Sequence, residues 1–277
     1  MAFELFKKDK GHLARTRKEQ FGYVIRNNIP TLFMSNVLMF LFSFPLILTF
    51  VFFSIAFHQL NIQESPTSSQ FYSIFLISGG LTLISVLILN IGLLGQYSVI
   101  KELVFLSSSK FVSFFKGIKN NFKDTIFVNL IFSLMFALLV INVGTFLYAS
   151  LDGVFKLVIL IINISVCLVL LVGKGYINFE MVVFKNRASI YIRNGIYLFY
   201  KNLPMSLVEL LLVIIPFIAV AFVPIQFCFI PIGIIATCYL SFSAFSNFMI
   251  SITVYERLFT PEQIPEIYHK GLEKINL

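Results

Sequence analysis

Among the side chains of this 277-residue chain that could do chemistry, Glu209 is the only carboxylate well inside an apolar run, about one and a half helical turns past Leu203. An ionised carboxylate at mid-membrane depth costs roughly 2.5 kcal/mol or more. A side chain of this type in that place therefore requires a partner, a proton or a water-filled cavity. The plainer alternative is a side chain that snorkels to water or bonds a neighbouring amide. Asn36, Asn90, Asn129, Asn142, Asn163 and Asn247 also lie within apolar runs. Aligning Asn28 with Asn121 sets Asn36 opposite Asn129, and a register on Asn202 brings position 210, beside Glu209, to the same depth. If Glu209, Asn36 and Asn129 converge, they form a polar intramembrane site suited to a polar solute or a proton. If they do not, such amides bond between helices, each contributing about 0.6 kcal/mol.

Other chemistries find no support in the residues. There is no phosphate-binding glycine loop, no G-x-S-x-G elbow, no H-E-x-x-H and no C-x-x-C. His12, His58 and His269 are too far apart in sequence to suggest a metal cluster. Cys167, Cys228 and Cys238 all fall in apolar runs and read as small core residues. The remaining carboxylates read as mostly cytoplasmic and paired with lysines, as in Lys101-Glu102. The expectation is a non-enzymatic protein without a cofactor.

The elements that would position Glu209 are apolar helices. The chain is 58% apolar and 12% charged, with a mean hydropathy of +0.91, outside the range of ordinary soluble domains. Runs long enough to cross ~30 Å of hydrocarbon cover 31–57, 71–94, 126–148, 154–173, 203–223 and 227–252. None alternates polar with apolar as barrel strands do, so each is read as a helix. Lys and Arg number seven before the first run, five in 101–123, five in 174–201 and three after the last, against a single Lys156 on the opposite side. Twenty against one is a positive-inside signal. The predicted fold is all-α: a polytopic membrane bundle of about six transmembrane helices in three hairpins, N-in and C-in. It forms one domain over 1–277, with a basic segment 1–30, the spans in 31–252 and a cytoplasmic tail 253–277. The first helix is expected to remain uncleaved, because its apolar stretch is too long for a signal peptide and lacks an A-x-A site. The formal charge of +8 points to anionic lipid rather than nucleic acid.

Three approaches to a span read alike: Ile25-Arg26-Asn27-Asn28, Ile118-Lys119-Asn120-Asn121 and Ile192-Arg193-Asn194-Gly195. For the third, Lys201-Asn202-Leu203-Pro204 against Asn27-Asn28-Ile29-Pro30 is an alternative register, and a threefold parallel repeat is one reading of the pattern. In 110–123, Phe111, Phe114, Phe115, Ile118 and Phe122 recur at helical spacing, with Lys116, Lys119 and Lys123 beside them. That pattern predicts an amphipathic interfacial helix, its rings among acyl chains and its lysines at anionic headgroups, or else a docking helix for a partner. Thr260-Pro261-Glu262-Gln263 has the order of a helix start and predicts a short C-terminal helix. Gly79-Gly80 and Gly92-x-x-Gly95 would admit close helix packing. Pro45, Pro216, Pro224 and Pro231 invite kinks.

The run Gly92-Leu93-Leu94-Gly95-Gln96-Tyr97-Ser98-Val99-Ile100, with Phe114-Phe115-Lys116-Gly117-Ile118-Lys119-Asn120-Asn121-Phe122-Lys123 and the later Arg193-Asn194-Gly195 and Asn202-Leu203-Pro204, resembles the YesL-like family of bacterial polytopic membrane proteins. The family's Gly-Pro-Ala-Thr stretch is absent, since Gly95 leads into Gln96 and Tyr97. The resemblance implies a multi-pass protein of the bacterial plasma membrane, an accessory component of a transport system such as carbohydrate uptake, partnered by a transporter subunit or a second copy. No site residues come with it. Two alternatives stand beside that expectation: a small-solute transporter or channel built on Glu209 and the intramembrane Asn residues, and an intramembrane enzyme acting on a lipid-linked substrate.

Overall fold

The structure, a computed structural model of the chain, describes residues 14–63, 67–148, 153–168, 173–222 and 233–272, with the backbone alone at 148, 167–168, 213–214 and 216–222. Pro224, Pro231, Cys228, His12 and the turn after residue 222 lie outside the described residues, as do the side chains of Pro216 and Cys167.

The regular elements among the described residues are helical. They are α1 (Arg17–Asn61), α2 (Ser68–Leu106), α3 (Val112–Tyr148), α4 (Gly153–Leu168), α5 (Lys174–Val183), α6 (Ala188–Lys201) and α7 (Leu203–Phe222). A π-helical turn at Ile235–Tyr239 then leads into α8 (Leu240–Leu258). Four described stretches are long and apolar enough to cross a membrane: Arg17–Asn61, Ser68–Leu106, Val112–Leu147 and Ile235–Leu258. Two shorter apolar stretches, Gly153–Val166 and Leu203–Leu212, accompany them. At 1.5 Å per residue α1, α2 and α3 run roughly 55–67 Å, about twice the thickness of hydrocarbon. The helices therefore continue well past the apolar runs that define them in sequence.

The extra length gathers at one end, where both ends of the described chain meet, and most of the buried core lies there. Leu94, Tyr97, Ile100 and Leu103 of α2 pack with Phe179 of α5 and with Phe245, Phe248 and Ile252 of α8. Arg17 clamps this basal end. Its Nη2 lies 2.5 Å from Glu256 Oε1 and its Nε donates to Oε2 at 3.0 Å, while Nη1 donates to the Lys270 carbonyl at 2.9 Å. Towards the far end the surface carries exposed Leu41, Phe44, Phe50, Leu134, Leu138 and Ile161, a set of apolar faces suited to lipid.

Several expectations change at this level. Residues 110–123 are not a separate interfacial helix, because Val112 opens a single 37-residue helix that runs on through the apolar stretch. Phe114 leaves the stripe for the core, where its ring meets Gly95 of α2. Phe111, Phe115 and Phe122 are exposed, as are Lys116, Lys119 and Lys123. The C-terminal helix does not form either. Thr260 N–H donates to Gln263 Oε1 at 3.0 Å, but the chain continues as linked turns to Lys270, since Pro265 has no N–H to carry a helical ladder. Lys101 and Glu102 are not a pair: Lys101 Nζ donates to the Val182 carbonyl at 2.7 Å, while Glu102 Oε2 accepts from Ser113 and Ser109. Cys238 is exposed rather than in the core.

The repeated approaches divide into two kinds. Asn28 and Asn202 both leave helical geometry, at φ −128°, ψ 23° and φ −130°, ψ 46°, whereas Asn121 lies within continuous α3. Pro30 and Pro204 follow the two breaks by two residues and remove a ladder donor. Lys123 stands at the corresponding place in α3 and has no such effect. The backbone thus favours the Asn202-Leu203-Pro204 register.

Candidate functional site

Helix α5 is buried on every face, which for a ten-residue helix carrying Lys174, Asn178 and Glu180 demands a partner for each polar group. Lys174 Nζ donates to Asn129 Oδ1 of α3 at 2.9 Å and lies 4.5 Å from the centre of the Phe132 ring. One residue on, and so about 100° around the helix, Gly175 faces α7. A Cβ there would lie 2.9 Å from Glu209 Oε2, so only glycine lets the carboxylate come this close.

Glu209 is 1% exposed, and neither of its oxygens meets a donor among the described residues. It has not snorkelled. The Tyr97 hydroxyl of α2 lies beside the amides of Asn178 and Asn247, and the phenols of Tyr97 and Tyr176 both lie within the field of the Glu209 carboxylate. Tyr176 in turn shares a 3.3 Å contact with Ser206 Oγ. The Oδ1 atoms of Asn178 and Asn247 are likewise buried without a donor. The surroundings of Glu209 therefore hold four unmet acceptor oxygens, supplied by α5, α7 and α8. None of these oxygens is met by a donor among the described residues, although the Asn247 amide nitrogen and the Tyr97 and Tyr176 hydroxyls stand close by, and a proton, a cation or a donor-bearing solute would satisfy them.

The three residues expected to converge do not. Asn129 stands on the Lys174 side of α5, and its backbone carbonyl also lies 3.5 Å from Asn90 Nδ2. Asn36 is farther off, holding the π-helical turn: Nδ2 donates to the carbonyls of Ile235 and Ala236, and Oδ1 accepts from Ser241 N–H at 2.8 Å. A widened turn frees backbone groups, and Asn36 satisfies them. Ser241 extends this second network to Ser35 at 2.8 Å and Gln96 at 3.0 Å.

Sequence reasoning missed Lys174 and Glu180, which read as ordinary charges between the apolar runs, and it missed Tyr97 and Tyr176. Glu180 is fully buried, accepting from the Tyr255 hydroxyl at Oε1 and from Asn194 Nδ2 at 3.4 Å at Oε2. Burial pushes its carboxyl up to about 7, against the pull of these two donors. Burial and the neighbouring carboxylate hold the Tyr255 phenol well above its usual range. The one signal available in sequence was the apolar company of Glu180, Phe179-Glu180-Met181-Val182-Val183.

His, Cys, Asp and Glu nowhere gather in threes among the described residues. Comparison with protein-family models, with curated proteins and with solved structures found no match to this chain.

Proposed function

We propose that this chain is a multi-pass membrane protein of six spans with both termini cytoplasmic, and that it is a non-enzymatic component of membrane transport working through Glu209. The observation that carries this reading is the carboxylate itself, buried to 1%, approached through Gly175 and left without a donor beside two donorless amide oxygens. An ionised group so placed is costly, so the site is complete only with a proton or a small cation seated on it. The exposed apolar faces and the twenty-to-one distribution of basic residues support the membrane setting and the orientation. On this reading the chain is a small-solute carrier in its own right. The YesL-like relationship of residues 92–204 and the role of accessory to a carbohydrate-uptake system remain proposals of the same class.

Dicyclohexylcarbodiimide, which modifies protonated carboxyl groups in apolar surroundings, tests the site. In the purified protein in lipid, the peptide bearing Glu209 should be modified at low pH. Labelling should fall as pH rises or as a monovalent cation is added, and Glu209→Gln should remove it. Labelling indifferent to both pH and cation would show a carboxyl that exchanges with nothing, and the reading would fail. Recovery of an intact transporter complex with the chain in mild detergent would favour the accessory role.

A further inference from the structure

Away from Glu209, the basal end carries a cleft of about 650 Å³ between α2, the start of α3, the segment after α5 and the C-terminal turns. Four lysines line it, Lys101, Lys116, Lys185 and Lys270, against a single carboxylate, Glu102. That carboxylate is already engaged by two hydroxyls, with Ser113 at 2.5 Å and Ser109 at 3.0 Å. Lys101 is held by the Val182 carbonyl, and Lys270 lies 5.5 Å from the centre of the Phe105 ring. Lys116 and Lys185 have neither an ion pair nor a hydrogen bond among the described residues. Burial lowers the Lys101 pKa, and the charges of Lys270 and Lys185 lower it further against the opposing pull of Glu102. The lysines thus repel one another across the cleft. At the floor of the cleft α2 and α3 meet closely, since a Cβ on Gly117 would lie 2.2 Å from Ser98 Cβ.

We infer that this cleft binds a phosphate group, carried either by a soluble phosphorylated molecule or by the headgroup of an anionic lipid. Clefts lined by one sign of charge with low-dielectric walls concentrate that field. Lysine serves phosphate as a mobile point charge, and the volume lies in the range of small-ligand sites. Exposed Asn120, also on the wall, adds a neutral donor. Ser98 to Leu106 stand roughly 6–18 Å beyond the apolar run that ends at Leu94, a depth open to lipid phosphates and to soluble esters alike. The inference is independent of the Glu209 reading.

The test uses the full chain in nanodiscs of zwitterionic phosphatidylcholine, titrated with inorganic pyrophosphate by calorimetry. A second arm measures retention of phosphatidylglycerol by native mass spectrometry. Pyrophosphate should bind, with an affinity that falls as ionic strength rises from 0.1 to 0.5 M, on the order expected from screening. Lys116→Ala with Lys185→Ala should weaken it at least tenfold. These two side chains have no ion pair or hydrogen bond among the described residues, so the fold should survive, as circular dichroism will show. Lys119→Ala with Lys123→Ala, on the same helix but off the cleft, should leave binding unchanged. Pyrophosphate binding without lipid retention assigns a soluble ligand, and lipid retention lost in the double variant assigns a headgroup. Neither anion bound, or both bound equally by the Lys116/Lys185 variant, overturns the inference.

Discussion

Replacing Glu180 by Gln should change how the stability of this protein depends on pH, by an amount that follows from its burial. The carboxyl titrates near 7 in the folded chain and near 4.5 when the chain is unfolded. Between those values the folded state holds a proton that the unfolded state has released. Stability therefore falls as pH rises through this window, by ~1.4 kcal/mol per unit and ~3 kcal/mol in total. Below about 4.5 the stabilising contribution is fully present, and above about 7 it is gone. Glu180→Gln cannot ionise and keeps an oxygen for the Tyr255 hydroxyl, so its stability relative to the native protein should improve by that amount from pH 4.5 to 7.5. At ~2 °C per kcal/mol for a chain of this size, the difference in Tm between the two proteins should move by ~6 °C. Thermal melts by circular dichroism in mild detergent across pH 4.5–8 measure it, and the carboxylates common to both proteins cancel in the difference. Tyr255→Phe removes one of the donors that favour the ionised form and should shift the midpoint above 7. A Tm difference that stays constant within a degree across the range would refute the assignment.

Gly117→Ala should separate α2 from α3 at Ser98 and cost about 1–3 kcal/mol by overpacking, and Ser98→Gly in the same chain should restore most of it, read as Tm. Arg17→Ala leaves Glu256 without its cation and the Lys270 carbonyl without its donor, while the Ile267 carbonyl keeps the Lys270 N–H; a loss of about 3 kcal/mol is expected, with the C-terminal turns opened to trypsin at Lys270, and Arg17→Lys should not rescue the two-pronged contact. A cysteine placed at Lys116 or Arg187 should resist impermeant thiol reagents in intact cells and react once the membrane is opened; labelling in intact cells would overturn the proposed orientation.

The long helices were legible because burying a backbone in lipid leaves few choices: apolar runs of about 20 residues must be helical, and α1, α2 and α3 contain the runs at 31–57, 71–94 and 126–148. Their true lengths were not legible. Polar residues beyond the runs, such as Gln20, Ser98 and Ser113, continue the same helices because the buried core extends past the apolar stretch and packs them there. The Phe stripe at 110–123 has interfacial periodicity, yet Gly95 offers Phe114 a place against α2, and tertiary packing overrides the local pattern. Glu209 was visible as a charge in an apolar run. Its neighbours were not, since Tyr97, Asn178 and Asn247 come from three helices whose rotations no single run specifies.

Helix α5 carries both Lys174 and, one residue on, the glycine that Glu209 abuts, yet the two charged groups do not meet. A lysine and a glutamate buried at similar depth would ordinarily pair and neutralise each other. Lys174 instead precedes Gly175 by one residue, and the ~100° between successive positions turns the ammonium towards Asn129 and Phe132 while the glycine faces the carboxylate. Asn129 and the Phe132 ring thus serve to hold the lysine away from Glu209. Moving a cation to the other face should silence the site: in Asn129→Leu with Phe132→Leu, Lys174 loses both contacts and its flexible stem is free to reach Glu209. Carbodiimide labelling of Glu209 should then disappear while the protein remains folded. Labelling unchanged in that variant would mean that the separation of the two charges plays no part in keeping the carboxyl available.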